Sequence, residues 1–412
     1  MARVLLLLPT TTYRTPDFLE AAERLGAEVV VASEQPSTLE GLNPGGLLTV
    51  DFRDPEECAR RVRAFAAKHP LDAVVGVDEE TAVAAAAIAG ALGLPHNPVD
   101  AVRAARNKAV MRRRLAETGV PVPRHRLHSL DEDPSAAARE TVYPCVLKPT
   151  FLAASRGVIR ADDAAEFQAA WRRIAAILSQ PDVARRSEAA AREILVEQFL
   201  PGDEVALEGL LDGGRLRVLA LFDKPDPLEG PYFEETIYVT PSRLPAQTQE
   251  AIASVAARAA AALGLVDGPI HAELRVRDGE AWVLEIAARS IGGLCSRTLR
   301  FGTGLSLEEL ILRHALGERV DALARETRAA GVMMIPIPRA GVLHRVDGLD
   351  DAAAMPGVEG VTISAHPGQT LVPLPEGSRY LGFLFARGET PAEVEAALRR
   401  AHAVLEFRIT PA

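Results

Sequence analysis

The chain has 412 residues, enough for two or three domains that each bury a core. Hydrophobic residues make up 48% and charged residues 25%, a soluble globular profile, and the net charge of −10 argues against a general nucleic-acid binder, which needs a basic face. Three distant cysteines (Cys58, Cys145, Cys295) include no CxxC pair and predict reduced thiols in a cytoplasmic protein rather than a disulfide framework.

Taken in chain order, the first long apolar run is VLLLL, ended at once by Pro9 and three threonines. It is too short to span a bilayer or to act as a signal segment, so it predicts a buried first strand (3–8) and no membrane association. A helical pattern through Phe18, Leu19, Ala22 and Leu25 closes at Gly26. Strands 27–33 and 47–52, a helix over 55–68, a strand over 71–78 and an Ala-rich helix over 79–92 follow. Apolar strands separated by amphipathic helices predict a parallel sheet covered on both faces. The arrangement is Rossmann-like, but the first turn reads PTTTYRT and contains no GxGxxG, so a dinucleotide site loses its main support. Residues 94–108 start a new helix that ends in ETGVPVPRH (117–125). Next come a strand over 143–150, the loop FLAASRGV (151–158), a helix over 163–179, and a strand, bend and meander over 194–221. A helix over 245–263 leads into a hairpin, and a helix over 306–316 ends at Gly317. From Gly331 the composition turns to short strands and Gly/Pro turns, with one last helix near 391–403.

The hairpin PIHAELRVRDGEAWVLEIAARS (269–290) carries the first chemical signal. Its turn signal is Asp278-Gly279. Ile270, Ala272, Leu274 and Val276 are apolar on one strand, and Trp282, Leu284 and Ile286 on the other. A two-residue turn would pair 272 with 285 and put Glu285 on the apolar face. A three-residue Asp-Gly-Glu turn pairs 273 with 285 and keeps the even positions together, which is the register expected. Glu273 and Glu285 then face each other opposite the core. Like charges so placed are destabilising unless a cation lies between them, and two carboxylates on adjacent strands form an oxygen clamp suited to Mg²⁺. The alternative is a pair of solvated surface glutamates.

Arg289 follows where the strand ends, and a guanidinium there can hold phosphate or a developing oxyanion with paired hydrogen bonds. Gly292-Gly293 would let backbone N–H groups approach the same group. Lys148 lies in VLKP, an apolar strand end where a lysine needs an anionic partner. The loop after it offers Ser155, Arg156 and Gly157 as phosphate contacts, or is an ordinary flexible loop. Lys108 opens the basic helix RNKAVMRRRL, whose charges are otherwise expected on a solvated face. Glu197 and Glu204 flank the bend VEQFLPGDE, where a backbone edge can read adenine and a carboxylate can hold ribose hydroxyls.

In order, Asn107-Lys108, LKP with its Ser-Arg-Gly-Val loop (148–158), VEQFLPGDEVALEG (196–209), HAEL (271–274) and LEIAAR (284–289) resemble the ATP-grasp superfamily over nearly the whole chain. Within it, LEIAARSIGG and FDKPDPLEGPYFEE (222–235) are most similar to the L-amino-acid ligases, which make dipeptides, and to carnosine-synthase-like enzymes. The resemblance implies an α/β protein with a Rossmann-like N-terminal domain (1–105) and a two-lobed α+β grasp domain (106–330, lobes about 106–192 and 193–330). A small α+β cap (331–412), similar to that of biotin carboxylase, would complete it. ATP and Mg²⁺ (or Mn²⁺) would be the cofactors. Lys108 and Lys148 would contact ATP phosphates. Glu197, Phe199 and Leu200 would line the adenine pocket, and Glu204 would hold the ribose. Glu273 and Glu285 would hold the metal, and Arg289 would stabilise an acyl phosphate and the tetrahedral species after it. Two departures stand out. Ala153-Ala154 replace glycines of many members, and Ala287 stands where many have an Asn metal ligand, although Ala is also seen in the amino-acid-ligase branch.

The activity expected is ligation of a carboxylate to an amine through an acyl phosphate, with Lys148 and Arg289 neutralising charge on the transferring phosphoryl group. Loop 151–158 and segment 225–236 are the expected lids that keep water out. Glu235, with Glu234, is a candidate for the substrate amine, and His271 orients substrate or is a satisfied strand histidine. Gly292 and Gly293 would border the substrates. The expected partners are small carboxylates and amines, with neither nucleic acid nor membrane, and a homodimer is compatible with the resemblance. Two other readings stay open: the same ATP site with a biotin-carboxylase-like or glycinamide-ribonucleotide-synthetase-like acceptor, and a nucleotide-binding regulatory protein without turnover.

Overall fold

Four parallel strands open the chain, in the spatial order Leu47–Thr49, Glu28–Ser33, Arg3–Leu7, Ala73–Gly76. The structure, a computed structural model, describes residues 1–185, 190–320 and 322–411. Leu5, Leu6 and Leu7 are fully buried, because helices cover both faces of this sheet; each such side chain contributes about 1.5–3 kcal/mol of burial. The strand order reverses between Arg3–Leu7 and Ala73–Gly76, so residues 9–13 and 78–80 leave the carboxyl ends of the two strands that flank a switch-point crevice. The Ala-rich helix runs Ala82–Leu92, starting after Thr81 rather than at 79. Asp78, Glu79 and Glu80 thereby stay outside it. Leu19, expected in the core, is exposed.

The helix expected from 94 onward is two helices, Val99–Arg106 and Lys108–Glu117. Asn107 divides them: its backbone is extended and its side chain caps the second helix by accepting from the N–H groups of Ala109 and Val110. Ala101, Val102, Ala104 and Ala105 of the first helix pack with Leu207, Ala256 and Ile270, so this helix shares a core with the second lobe.

A four-stranded antiparallel sheet forms the first lobe, in the order His125–Ser129, Glu193–Gln198, Cys145–Pro149, Ile159–Ala161. Glu193–Gln198 lies inside this sheet, so the lobes divide at the bend after Gln198, not at 192/193. An eight-stranded sheet forms the second, in the order Glu280–Ala287, Gly268–Arg277, Asp203–Asp212, Arg215–Asp223, Ile237–Thr240, Ala329–Ile335, Gly382–Gly388, Val358–Ile363. The last three strands come from the segment expected to be a separate cap. The expected boundary at 330/331 falls inside a strand whose neighbours are Ile237–Thr240 and Gly382–Gly388, so cap and lobe share one continuous sheet. A three-stranded sheet (Thr370–Leu371, Gly341–Asp347, Glu406–Thr410) and the helix Pro391–Ala403 complete the C-terminal part. Among the described residues, no helix is long and apolar enough to cross a membrane.

Candidate active site

Glu273 and Glu285 are direct ladder partners, as the hairpin argument expects, but the route to that register differs. The turn has two residues: Arg277 pairs with Glu280, and Asp278 and Gly279 both adopt positive φ (52° and 80°). Near the turn, Val276 pairs with Ala281 and Leu274 with Val283. A bulge at Leu284 then shifts the register so that Glu273 meets Glu285. Ala281, Val283 and Ile286 therefore face the core, while Trp282 and Leu284 are only half buried. The expected grouping of all even positions gives way because one extra residue changes which parity points inward.

Both glutamates border one cavity of about 370 Å³ that opens between the N-terminal domain, the two lobes and the cap. Lys108, Lys148, Ser155, Glu197, Phe199, Leu200, Glu204, Glu235, His271, Glu273, Glu285, Arg289, Gly292 and Gly293 all line it. Arg156 and Gly157 do not. Arg156 turns away to Gln180 and Asp182, and the N–H of Gly157 donates to Pro375 O at 2.9 Å. Ala154 and Ser155, in the loop short of glycine, both take left-handed backbone (φ 54° and 53°), which is costly for residues with a Cβ.

On the first-lobe side, Lys108 Nζ donates to Leu152 O at 2.9 Å and pairs with Glu285 Oε2 at 3.0 Å. Lys148 Nζ pairs with Glu197 Oε2 at 2.6 Å, and Arg112 Nε donates to Glu197 Oε1 at 2.5 Å. Burial alone would push the Glu197 carboxyl up, but Arg112 and Lys148 outweigh it and hold it at about 2. Arg112 is fully buried, against the expectation of a solvated helix face. Four residues after Lys108, it occupies the same face of the helix.

Glu204, Glu235 and Glu273 bring carboxylate oxygens within 4.8 Å of one another. Lys224 Nζ joins all three, at 2.7 Å from Glu204 and 3.5 Å from Glu273, with Glu235 as its third partner. Burial lowers the Lys224 pKa, but the three carboxylates outweigh that and raise it above the usual lysine range. Burial and the Glu273 charge push the Glu235 carboxyl up to about 7, against the pull of Lys224. Glu204 Oε2 also takes Arg275 Nε at 3.0 Å. His271 Nε2 lies 3.3 Å from Glu273 Oε1, and its Nδ1 meets Glu208. Burial would lower the His271 pKa, yet Glu208 and Glu273 bring it to about 9. Burial raises the Glu273 carboxyl, but Lys224 and His271 overcome it and hold Glu273 well below the ordinary carboxylate range. The repulsion expected between Glu273 and Glu285 is thus relieved by separate side-chain cations. Both still present hard oxygen donors to the cavity, a donor set that fits Mg²⁺. Ala287, opposite His271 in the ladder, adds no oxygen to it.

Arg289 projects from the end of the same strand. Its Nε donates to Glu79 Oε2 at 2.9 Å and its Nη1 to Ser290 O at 2.9 Å. Burial lowers its pKa, but Glu79, Glu285 and Glu208 raise it, so it is cationic at any working pH. Tyr238 also lines the cavity and donates its hydroxyl to Glu235 Oε1 at 2.7 Å, and it, Glu79, Lys224, Arg112 and Glu208 escape the sequence reading. Three of them carry a usable signal: Lys224 closes the apolar strand end of ALFDKP as Lys148 closes VLKP, Glu208 interrupts the apolar run VALEGLL, and Arg112 follows Lys108 at helical i, i+4 spacing.

A two-lobed grasp closing on one charged cavity defines a nucleotide-dependent class of protein, and the sequence comparisons agree. The ATP-grasp domain family matches residues 141–298, an ATP-grasp N-terminal domain family matches 19–96, and the L-amino acid ligase C-terminal domain 2 family matches 333–410. Residues 141–298 thus carry an ATP-grasp domain, and the chain as a whole is similar to the L-amino acid ligases. The crystal structure of L-amino acid ligase from Bacillus licheniformis superposes with a TM-score of 0.81 at 28% identity, over 100% of this chain and 99% of that one. An uncharacterized protein of Sinorhizobium fredii is 25% identical across 100% of this chain and 84% of its own length. Alanine–anticapsin ligase of Bacillus subtilis is 28% identical over 62% of this chain, a match that spans only 56% of that enzyme.

Proposed function

We propose that this protein is an ATP-dependent, ADP-forming ligase that joins a small carboxylate, most simply an amino acid, to an amine. The observation that carries the reading is one cavity whose lining brings three cations from different elements (Lys108, Lys148, Arg289) together with the carboxylate pair Glu273/Glu285, Lys108 pairing directly with Glu285. The match of residues 333–410 to an L-amino acid ligase domain favours amino-acid substrates over the other acceptors.

In this reading the bend at Phe199-Leu200 holds adenine, Glu204 faces the ribose, and Lys108, Lys148 and Ser155 hold the phosphates. Lys148 is oriented by Glu197, which is itself fixed by Arg112. Glu273 and Glu285 would hold Mg²⁺, which supplies positive charge to the phosphate oxygens. An oxygen of the acid attacks the γ-phosphorus, the bond to the β-phosphate oxygen breaks, and ADP leaves. The nitrogen of the amine then attacks the carbonyl carbon of the acyl phosphate, loses a proton, and inorganic phosphate leaves. Arg289 has five N–H donors, and the two contacts above leave three for the acyl phosphate and its oxyanion. Glu79 and Asp78, from the N-terminal domain, and Glu235 supply the negative charge an incoming ammonium needs.

Phosphate release with Mg-ATP across a matrix of paired amino acids and small carboxylates tests the proposal. At least one pair should stimulate ADP formation. ATP binding with no turnover for any pair would overturn the ligase reading in favour of a regulatory nucleotide-binding protein, and turnover driven by bicarbonate would move the protein to another ATP-grasp branch.

A further inference from the structure

Glu208 sits in the middle of the strand Asp203–Asp212 with 0% exposure, and it does not border the cavity. A carboxylate removed from water is strongly unfavourable unless each oxygen is matched. Here both are. One oxygen accepts from His271 Nδ1–H, the residue directly opposite in the ladder, and Oε2 accepts from the backbone N–H of Ile291 at 3.0 Å. Both partners line the cavity. His271 presents its other nitrogen to Glu273, while Ile291 is the residue between Ser290, whose carbonyl holds Arg289, and Gly292-Gly293.

We propose that Glu208 is a positioning residue for the transfer step. One oxygen fixes the His271 imidazole against Glu273, and the other fixes the Arg289–Gly293 turn, so one buried carboxylate sets the phosphate side and the acyl side of the cavity relative to each other. This rests on the ligase reading above. A purely structural glutamate would need its charge matched, but not by these two elements together. Glutamine is the discriminating substitute, because its NH₂ end cannot accept a hydrogen bond. The Glu208→Gln change keeps the size of the side chain and removes the charge from both contacts, so in either orientation of the amide the His271 Nδ1–H bond is weakened or lost.

The test compares wild type with Glu208→Gln in two measurements. The first is the imidazole N–H proton spectrum of the metal-free, nucleotide-free protein, with the His271 signal assigned by its loss in His271→Gln. A strongly downfield His271 proton is expected in wild type and its loss or upfield shift in Glu208→Gln. The second is steady-state ligation, in which kcat should fall about 10–100-fold while KM for ATP holds. A downfield proton that persists in Glu208→Gln overturns the proposal, and so does a kcat equal to wild type or a loss that falls on KM alone. If Glu208→Gln fails to fold, the wild-type spectrum decides: no His271-dependent downfield proton means the contact does not exist. Failure of the ligase reading shows separately, as wild type releasing no phosphate with any amino-acid pair.

Discussion

Replacing Arg289 with alanine separates binding from chemistry most sharply. The side chain lines the cavity, and its two described hydrogen bonds, both 2.9 Å, go to Glu79 and Ser290 rather than to any residue assigned to adenine or ribose. Removing it deletes three free donors and one positive charge from the place where charge builds on the acyl phosphate. Loss of a single preorganised oxyanion donor costs about 3–4 kcal/mol, or 10²–10³ in kcat. Arg289→Ala should therefore reduce kcat for ligation at least 100-fold, a figure taken from that same range. The ATP dissociation constant, read by calorimetry or fluorescence, should stay close to wild type. Arg289→Lys should recover only part of the loss, since an ammonium restores charge but not paired hydrogen bonds. If ATP affinity drops in step with turnover, Arg289 belongs to the nucleotide site and the division of the cavity into phosphate and acyl ends is wrong.

Glu197→Gln leaves Arg112 and Lys148 without their counter-charge and should cost about 3–5 kcal/mol by chemical denaturation. Because the folded carboxyl sits at about 2 against an ordinary 4.5, wild type holds this contribution above pH 4.5 and loses it as the pH falls toward 2. That acid-side slope, worth about 3 kcal/mol, should be absent in Glu197→Gln, and an unchanged slope would refute the assignment. Gly157→Ala forces a Cβ to 2.8 Å from Pro149 Cγ at φ +75°, and should lower stability by about 1–3 kcal/mol and raise KM for ATP through the neighbouring phosphate loop. Wild-type melting and kinetics would show that the loop absorbs the change. Lys224→Met leaves three carboxylates within 4.8 Å of one another, so the variant should melt lower than wild type and be rescued by Mg²⁺ more strongly than wild type is. Equal Mg²⁺ shifts in both proteins would mean that a divalent ion does not take the place of the ammonium.

Glu273, Glu285, Arg289, Lys108 and Lys148 were legible in the sequence because each is a charge at the end or on the polar face of an apolar strand or helix, where chemistry must explain it. The same rule reaches Lys224 and Glu208 when applied evenly, and the i, i+4 spacing reaches Arg112. Position along the chain could not separate Arg156 and Gly157 from Ser155: whether a loop residue points into a cavity depends on φ values and on the Pro375 carbonyl more than two hundred residues away. The bulge at Leu284 was equally hidden, since a two-residue turn plus one extra residue yields the same Glu273–Glu285 pairing as a three-residue turn.

The sequence by itself determined the alternation of strands and helices and the carboxylate pair, because periodicity and strand-end charges are local properties, and its short motifs carried the resemblance to the ATP-grasp ligases. Only the tertiary structure decided which cation answers which carboxylate, that Glu79 of the first domain meets Arg289, and that the cap continues the second lobe's sheet. Those depend on the contacts between segments distant in the chain. There, burial raises the energy of every unmatched charge and leaves few arrangements in which all of them are paired.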